Sequence, residues 1–461
     1  MEKILRSPFR PLKFSFRSDL FSSTFTYGSL AVVRLGSSLI LTRLLTPAAY
    51  GLFAILLSFA FTIEMLSDVG PTALLIRHHR GSEVRFVHTI WTIRFFRSIV
   101  NFGLLFLASP LLAALYKEPS LTAPCRLLSV TFLLTGTESM AYILAQRDQK
   151  ARIGNYAEFL TNLAMTVVVI GLAFVLRNVY ALLFGFLFQR ALLTIISHFF
   201  YREVGVGFAW DREAVREQFH FARVVTPSSF ITMLLNQYDK LIFLRLFSTA
   251  LLGVYSIAGN MLAPVRNIIN NNARLILYAR CSEYFRSDRK TARDRYYNEN
   301  RKLVFLGMLL PAIVAGLSQS IVSVLYDPRY EFGGYVLMVL GLATVVQAFL
   351  IVSQNVLFAA GVTHAILVGN GLTLVVLVPA SLLGYYFYGL KGFLWFNLAG
   401  SFAPLIWAYL KQQQLGLLKF RTELRSMGLA LGTFLFCFLL SHLFLAVVPH
   451  SWLHLHLHRH K

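Results

Sequence analysis

Polar side chains at helical spacing lie within two long apolar stretches in the second half of the chain. They recur every three or four residues in the predicted spans 218–247 and 250–275. Residues three and four apart share one face of a helix, so each set forms a polar stripe, and two facing stripes can line a hydrated lumen. The stripes consist of Ser229, Thr232, Asn236, Asp239 and Lys240, and of Asn260, Asn267, Asn271 and Arg274, with Arg266 and Asn270 beside the second.

Ionisable side chains also occur within the predicted spans of the first half. Arg34 lies near the middle of the first span, with Tyr27 and Ser38 on the same face, and Glu64 and Asp68 lie one turn apart in the second. A charge at the bilayer centre costs about 2.5–3.5 kcal/mol on insertion scales, so such groups usually face a cavity or one another. Three further groups are interpreted as structural pairs: Arg190, Glu138 and Glu158.

The composition that surrounds these residues is that of a membrane protein. Of 461 residues, 56% are hydrophobic and 14% are charged, whereas soluble proteins contain about 25% charged residues. Apolar stretches long enough to cross a hydrocarbon core as helices recur along nearly the whole chain, and they leave no room for a soluble domain. Thirteen spans are predicted, at residues 20–43, 48–70, 87–116, 122–145, 154–176, 179–201, 218–247, 250–275, 302–326, 332–359, 362–387, 390–411 and 426–449.

The basic residues indicate how the chain is oriented. The net charge of +22, from 43 Lys and Arg against 21 Asp and Glu, could by itself suggest a nucleic-acid partner. With a cytoplasmic N-terminus, about 29 of the 43 basic residues fall in cytoplasmic segments, about 9 at the outer face and about 5 within spans, as the positive-inside rule requires. The basic loops are therefore expected to contact anionic membrane lipids, and no nucleic-acid partner is expected.

An internal repeat divides the chain into two halves. The turn at 41–55 recurs as 243–257 at an offset of 202 without a gap, and Gly51 aligns with Gly253. Repeats of this size in membrane proteins usually build two bundles around a central cavity. The predicted all-α organisation has a cytoplasmic segment 1–19, six-helix bundles at 20–201 and 218–411, a cytoplasmic linker at 202–217, and an extra helix with a His-rich tail at 412–461.

Motifs of enzymatic chemistry are not recognisable in the sequence. It contains no Gly-x-x-x-x-Gly-Lys loop, no Ser/His/Asp arrangement and no His-Glu-x-x-His pattern, so neither enzyme activity nor a metal or cofactor is expected. Cys125, Cys281 and Cys437 are predicted outside, inside and within the membrane, which excludes a disulfide framework. The alternating histidines at 454–460 are interpreted as an interfacial tail in preference to a metal site.

Three segments resemble one known family. They are "TRLLTPAAYGLFAIL" with the following "LSDVGPTALLIR", "ILAQRDQKAR" with "VYALLFGFLFQ", and "NQYDKLIFLRLFSTALLGVYSIAGNML". The chain is similar in these segments to the bacterial lipid-linked oligosaccharide flippases, the polysaccharide branch of the multidrug/oligosaccharidyl-lipid/polysaccharide exporter superfamily. The sequence departs from the family pattern at Phe243, where a glycine is usual, and in its thirteen spans, where 12 or 14 are common. The matching residues of the last segment are Gln237, Asp239, Lys240, Leu252, Gly253 and Tyr255.

The resemblance implies alternating access that carries a polyprenyl-pyrophosphate-linked oligosaccharide across the bacterial inner membrane for exopolysaccharide, O-antigen or capsule synthesis. Guanidinium groups pair with phosphate oxygens, and amides hydrogen-bond sugar hydroxyls. A proton or sodium ion would couple transport, and other polysaccharide assembly proteins are expected partners. The alternatives are a drug or cation exporter of the same superfamily and a membrane-embedded polymerase, although the outer loops are short for an active site. The predicted substrate contacts are Arg34, Asn236, Gln237, Lys240, Asn260, Arg266, Asn267 and Arg274, and the predicted ion-coupling acids are Glu64, Asp68 and Asp239.

Overall fold

Every regular element in the described part of the chain is a helix, which confirms the predicted all-α class. The computed structural model describes residues 16–148, 152–199, 205–287, 291–299, 301–362 and 364–447, so the His-rich tail lies outside the described residues. The first half contains α1 (Phe16–Leu44), α2 (Pro47–Leu66), α3 (Pro71–Arg77), α4 (Val84–Leu115), α5 (Thr122–Thr137), α6 (Ala141–Arg147), α7 (Arg152–Leu176) and α8 (Val179–Phe199).

The second half begins with a longer helix than the sequence predicted. Helix α9 starts at Arg212, inside the predicted linker 202–217, because the Asp211 side chain caps the Glu213 N–H at 3.0 Å. The helices of this half are α9 (Arg212–Leu246), α10 (Thr249–Asn272), α11 (Tyr278–Ser287), α12 (Ala292–Glu299), α13 (Arg301–Gly316), α14 (Ser318–Leu325), α15 (Phe332–Ala359), α16 (Ala365–Gly400), α17 (Phe402–Gln414) and α18 (Phe420–Val447).

The chain is a multi-pass membrane protein. In the described ranges, seven helices are long and apolar enough to cross a membrane, or up to nine if each of two bent pairs is one span. The stretch Ala365–Gln414 counts once among these, although Gly389, with φ 59° and ψ −137°, breaks it where the sequence predicted a boundary between two spans. Helices α1, α9 and α10 are 29, 35 and 24 residues long and carry most of the polar residues singled out above.

The repeat is visible in the way α2 and α10 begin. The Thr46 hydroxyl accepts a hydrogen bond from the Ala49 N–H at 3.3 Å, and the Ser248 hydroxyl accepts one from the Leu251 N–H at 3.3 Å. Both residues are N-caps with extended backbone. A side-chain oxygen in this position satisfies one of the free N–H groups of the first turn. The same capping chemistry therefore starts both copies of the repeated turn.

Within each half, the helices pack mainly against one another. In the first half α4 packs on α5, α7 on α8, and α1 on α7. In the second half α15 is the central helix, since it contacts α10, α13, α14, α16 and α17 and is mostly buried. The half-buried carboxylate of Glu138 pairs with Arg94 at 2.6 Å, in agreement with its interpretation as a structural pair. Cys125, Cys281 and Cys437 are free and buried.

The extra C-terminal helix α18 packs on α13 and α14. A Cβ at Gly316, the last residue of α13, would lie 2.5 Å from the Cys437 Cβ, so glycine permits the close approach of the two helices. Farther along, the hydroxyls of Ser320 and Ser441 are 2.7 Å apart. Small residues and hydroxyl pairs are the usual contacts between membrane helices. Helix α18 has no counterpart in the repeat but is part of the second bundle.

Candidate functional site

A cavity of about 270 Å³ lies between the first half and helix α9. Helices α2, α5, α8 and α9 line it, so the second half contributes to it through α9 alone. The α2 residues Leu57, Phe61 and Glu64 recur at helical spacing, and therefore one face of this helix forms a wall. The other lining residues are Ser58, Ala60, Thr131, Phe132, Thr135, Phe186, Arg190, Gln237 and Lys240.

Three ionisable side chains meet in this cavity. Glu64 comes from α2, Arg190 from α8 and Lys240 from α9, and none of them forms an ion pair among the described residues. The Arg190 guanidinium lies over the Phe186 ring at 5.2 Å. Gln237 is 7% exposed, and its Oε1 has no hydrogen-bond partner in the described structure. Because buried polar atoms are normally paired, an unpaired one beside a cavity fits a polar ligand.

Arg190 is the residue of this cavity that sequence reasoning missed. Its interpretation as a structural pair is not supported, because it forms no ion pair among the described residues and its guanidinium lies over the uncharged ring of Phe186. The sequence feature that indicates a role for Arg190 is that it is a single arginine within the apolar run of α8. Two threonines of α5 also line the cavity, but the Thr131 and Thr135 hydroxyls donate to carbonyls of their own helix. The sequence does not distinguish these two threonines from others whose hydroxyls simply donate to a backbone carbonyl of the same helix.

The substrate contacts and the ion-coupling acid predicted on α9 lie in three different environments. Gln237 and Lys240 line the cavity, whereas Asn236 is exposed and its amide donates to the Thr232 carbonyl. Asp239 faces α10, where the Tyr255 hydroxyl donates to its carboxylate at 2.6 Å. Successive residues of a helix point about 100° apart, which explains why Asp239 and Lys240 do not share an environment.

The arginines predicted to contact the substrate lie outside the cavity lining. Arg34 is exposed and donates to Asn162 of α7 at 3.3 Å, and Arg266 donates to the Thr344 hydroxyl of α15 at 3.4 Å. Arg274 is exposed within a π-helical turn at Ala273–Leu277. The structure therefore does not gather the predicted arginines into one cluster. Asn260 and Asn267 are likewise exposed on α10.

Asp68 forms a junction between α2 and α9. Its carboxylate accepts hydrogen bonds from the Gly70 N–H at 2.9 Å and from the Ser229 hydroxyl at 2.8 Å, and Arg97 lies 3.6 Å away. The Thr226 hydroxyl donates to the Asp68 carbonyl at 2.7 Å. These contacts fit an interhelical anchor, and they place Asp68 outside the cavity in which Glu64 lies.

The two halves meet most closely at their predicted outer ends, through the repeated glycines. A Cβ at Gly51 would lie 1.7 Å from the Thr249 carbonyl oxygen, and one at Gly253 would lie 1.9 Å from the Pro47 carbonyl oxygen. Both distances are far below van der Waals contact, so only glycine permits this approach of α2 to α10. The glycines that the sequence repeat aligned therefore pack against each other in the fold.

The outer loop between α14 and α15 completes this closure. The Tyr330 hydroxyl donates to the Leu45 carbonyl at 3.0 Å, and Arg329 donates to the Arg43 carbonyl at 3.0 Å. The hydroxyls of Ser38 and Tyr326 are 2.7 Å apart. Arg329 thus supplies positive charge to the C-terminal end of α1, where free carbonyls favour a cation.

At the inner end, the loop between α3 and α4 holds the start of α9. Arg80 forms ion pairs with Glu83 at 2.7 Å, Asp211 at 2.6 Å and Glu213 at 2.9 Å. Arg147 supports the loop by donating to the carbonyl of His78 at 2.7 Å. We call this set of contacts the Arg80 clamp. It attaches the connecting helix to the first half.

Acidification is expected to release the Arg80 clamp. Hydrogen bonds from Arg80 hold the pKa values of Glu83 and Asp211 below their usual range. A carboxylate with a lowered pKa stabilises the contact above its ordinary pKa, and this contribution disappears as the pH falls through the lowered value. We expect hydrogen exchange at residues 211–217, corrected for the intrinsic rate, to be constant from about pH 7 to 5 and faster below about pH 4.

The control for this experiment is the Arg80→Gln variant, which should exchange rapidly at 211–217 already at pH 7. Residues of the buried helix α15 provide an internal reference, since their protection does not involve these carboxylates. Equal exchange at 211–217 in the variant and the parent chain at pH 7 would contradict the clamp.

Comparison with known proteins assigns the chain to a family. The sequence profile of the family described as "Polysaccharide biosynthesis protein" matches residues 40–332. The chain belongs to this family. The match includes the repeated turn, the cavity residues and the Asp239–Tyr255 pair, and it confirms the resemblance derived from the sequence motifs.

One curated protein that is similar to this chain is the teichuronic acid biosynthesis protein TuaB of Bacillus subtilis (strain 168). The two are 19% identical over 302 residues, which cover 65% of this chain and 62% of the relative. The matched region thus spans less than two thirds of the relative's length.

In the described part of this chain, no group of three or more His, Cys, Asp or Glu side chains could hold a metal ion.

Solved structures share the fold at low sequence identity. "Lipid II flippase MurJ, inward closed conformation" has a TM-score of 0.71 at 11% identity, with 94% of this chain and 95% of that chain covered. "Inward-facing conformation of a multidrug resistance MATE family transporter of the MOP superfamily" has a TM-score of 0.60 at 13% identity, with 84% and 95% covered. At these identities the comparisons show the fold alone.

Proposed function

We propose that this protein is a flippase that moves polyprenyl-pyrophosphate-linked oligosaccharide repeat units across the bacterial cytoplasmic membrane. The carrying observation is the cavity in which Arg190 and Lys240 lie without ion-pair partners among the described residues, in a chain of the polysaccharide biosynthesis family. Two unpaired cations suit a pyrophosphate, because charge-assisted hydrogen bonds to phosphate are among the strongest in proteins. The Gln237 amide and the cavity wall would contact the first sugar.

Alternating access would use the two closures described above. The glycine contact of α2 with α10 seals the outer ends, while α9 joins the halves at the inner end through Asp68 and the Arg80 clamp. Opening the glycine contact and tightening the inner end would present the cavity to the other side. The prenyl tail would stay in lipid throughout, since its transfer into a polar cavity is unfavourable.

Ion coupling is assigned in this proposal to two of the predicted acids. Glu64 lies in the cavity beside the two cations, so its protonation would change the net charge that the substrate meets. Asp239 is held by Tyr255 between α9 and α10 and could respond to movement of α9. Asp68 is assigned an anchoring role because its carboxylate is already engaged by Ser229 and the Gly70 N–H.

The remaining predicted contacts are proposed to lie along the substrate's path and not in the cavity. Arg34 on α1 and Arg274 in the π-helical turn after α10 are exposed, and Asn236, Asn260, Arg266 and Asn267 would provide further polar contacts. The N-terminus is placed in the cytoplasm, and the protein is proposed to act without enzymatic chemistry. Other polysaccharide assembly proteins would supply and receive the lipid-linked substrate.

The test is movement of a fluorescent polyprenyl-pyrophosphate oligosaccharide in proteoliposomes that contain the purified full-length protein. An external glycosidase cleaves the oligosaccharide only on the outer leaflet. The fraction of substrate that is protected from cleavage therefore measures the amount on the inner leaflet. We expect the protected fraction to decline with time only in vesicles that contain protein. Arg34→Gln should slow this exchange, while Arg425→Gln, which removes an exposed charge at the start of α18, should not.

Two outcomes would contradict the transport part of the proposal, and a third would contradict its non-enzymatic part. One is a constant protected fraction in vesicles whose protein is shown to be folded by size-exclusion chromatography. The other is uptake of a cationic dye without movement of the lipid-linked sugar, which would favour the drug or cation exporter alternative. Lipid movement that requires hydrolysis of the pyrophosphate bond would contradict the non-enzymatic part of the proposal.

A further inference from the structure

A second cavity, of about 610 Å³, lies at the inner end of the second half. One wall is a face of α11, with Tyr278, Ser282 and Phe285 among its residues, and the other is the last residue of α15 with the turn after it, at 359–361. None of its lining residues belongs to the first cavity. Helix α11 continues from α10 towards the basic inner loop, so the cavity opens at the predicted cytoplasmic boundary of the membrane.

The local backbone explains why space remains here. The π-helical turn Ala273–Leu277 shifts the face that α11 presents, and the rings of Tyr278 and Phe358 pack with centroids 5.3 Å apart. Helix α15 ends at Ala359, and the turn after it contains Gly361, whose φ of 96° lies in the left-handed region and whose missing Cβ would meet no atom within 4 Å. Beside it are two alanines. Small residues at a helix end therefore leave the cavity unfilled.

Two donors of this cavity lack the partners that such groups usually have among the described residues. Arg286 is exposed and forms no ion pair among the described residues. The Ser282 hydroxyl is buried and has no hydrogen-bond partner in the described structure. A guanidinium and a hydroxyl on successive turns of one helix can bind two oxygens of one phosphate. The Phe285 ring and the alanines form an adjacent apolar wall.

We propose that this cavity binds the phosphate headgroup of one anionic phospholipid of the inner leaflet. Arg286 and Ser282 would hold the phosphate, and Phe285 with Ala279 and Ala360 would contact the glycerol and the first methylene groups. The apolar wall and the position at the membrane boundary favour a lipid over free phosphate. Basic pockets between membrane helices on the cytoplasmic side commonly bind anionic headgroups. The inference does not depend on the proposed transport activity.

The experiment is native mass spectrometry of the full-length protein in detergent with added phosphatidylglycerol or phosphatidylcholine. We expect one phosphatidylglycerol to be retained in preference to phosphatidylcholine. Arg286→Gln should weaken this binding about tenfold, as expected for loss of a charge-assisted hydrogen bond. Ala279→Trp should weaken it similarly by filling the cavity. Arg425→Gln removes an exposed charge near the same membrane face and should leave the binding unchanged.

Three results would overturn the inference. Equal retention of phosphatidylcholine would contradict charge recognition, and unchanged binding in both Arg286→Gln and Ala279→Trp would contradict the location. Displacement of the lipid by millimolar inorganic phosphate, together with phosphate binding in lipid-free protein, would show a free-phosphate site instead. Thermal unfolding of each variant is compared with that of Arg425→Gln, and Ser282→Ala provides a milder substitution should Ala279→Trp fail to fold.

Discussion

Replacing Gly51 by alanine is expected to disfavour closure of the two halves at their outer ends and to slow transport strongly. The new Cβ would lie 1.7 Å from the Thr249 carbonyl oxygen, and the Gly253 backbone nitrogen is only 3.0 Å away. Because backbone atoms on the opposing helix cannot rotate aside, α2 and α10 must separate by more than an ångström. Overpacking of this kind costs about 1–3 kcal/mol, which shifts a two-state equilibrium by about 5- to 150-fold.

The shift can be measured as a distance between spin labels at two exposed positions near the predicted outer face. Ser120 lies in the connection between α4 and α5, and Lys391 lies two residues after the break of α16 at Gly389. We expect a longer distance in Gly51→Ala than in the parent chain. Gly253→Ala should give the same result, since its Cβ would lie 1.9 Å from the Pro47 carbonyl oxygen. A population that remains closed in both variants would exclude the glycine contact as the outer closure.

The matched control is Gly171→Ala in α7. Gly171 also lies inside a membrane helix, but a Cβ there would meet no atom within 4 Å. Alanine is favoured over glycine in a helix by about 1 kcal/mol, so this change should leave the distance unaltered and the stability equal or higher. Equal effects of Gly51→Ala and Gly171→Ala would indicate a general response to alanine and not a steric one.

Neutralising the cavity cations is expected to have the second largest effect. Arg190→Gln and Lys240→Gln each remove a donor that lines the cavity and has no ion-pair partner among the described residues. Loss of a hydrogen bond to a charged group costs about 1.5–3 kcal/mol, so we expect about 10- to 100-fold weaker binding of a polyprenyl pyrophosphate. Binding is measured by titration of the purified protein, and transport by the glycosidase-protection assay.

The control for these charges is Lys391→Gln, because the Lys391 ammonium lies 5.9 Å from the centre of the Tyr335 ring and outside the cavity. It changes the net charge equally and should leave binding unchanged. Glu64→Gln mimics the protonated side chain, so it should not weaken binding, and it should remove the dependence of transport on a proton gradient. Unchanged binding in Arg190→Gln and Lys240→Gln would require a pyrophosphate site elsewhere.

Sequence alone determined the class of fold because the signals that specify it are local. Apolar runs of sufficient length identify membrane helices wherever they occur, and Gly389 marks a break in the long helix where two predicted spans meet. The offset of 202 between the two copies of the turn is likewise a property of the chain. Even the caps of α2 and α10, at Thr46 and Ser248, follow the residue types expected at helix N-termini.

Only the tertiary structure decided which polar side chains share an environment. Helical spacing shows that residues lie on one face, but it does not show which neighbouring helix that face meets. Asp239 faces Tyr255 of α10, Asp68 faces Ser229 of α9, and Glu64 faces the cavity, although all three are acids in apolar sequence. Arg190 of α8 and Lys240 of α9 line the same cavity. Helical spacing could not show this, because α8 and α9 border one cavity only after the bundle has formed. The repeat aligned Gly51 with Gly253, and folding brought those two glycines into contact.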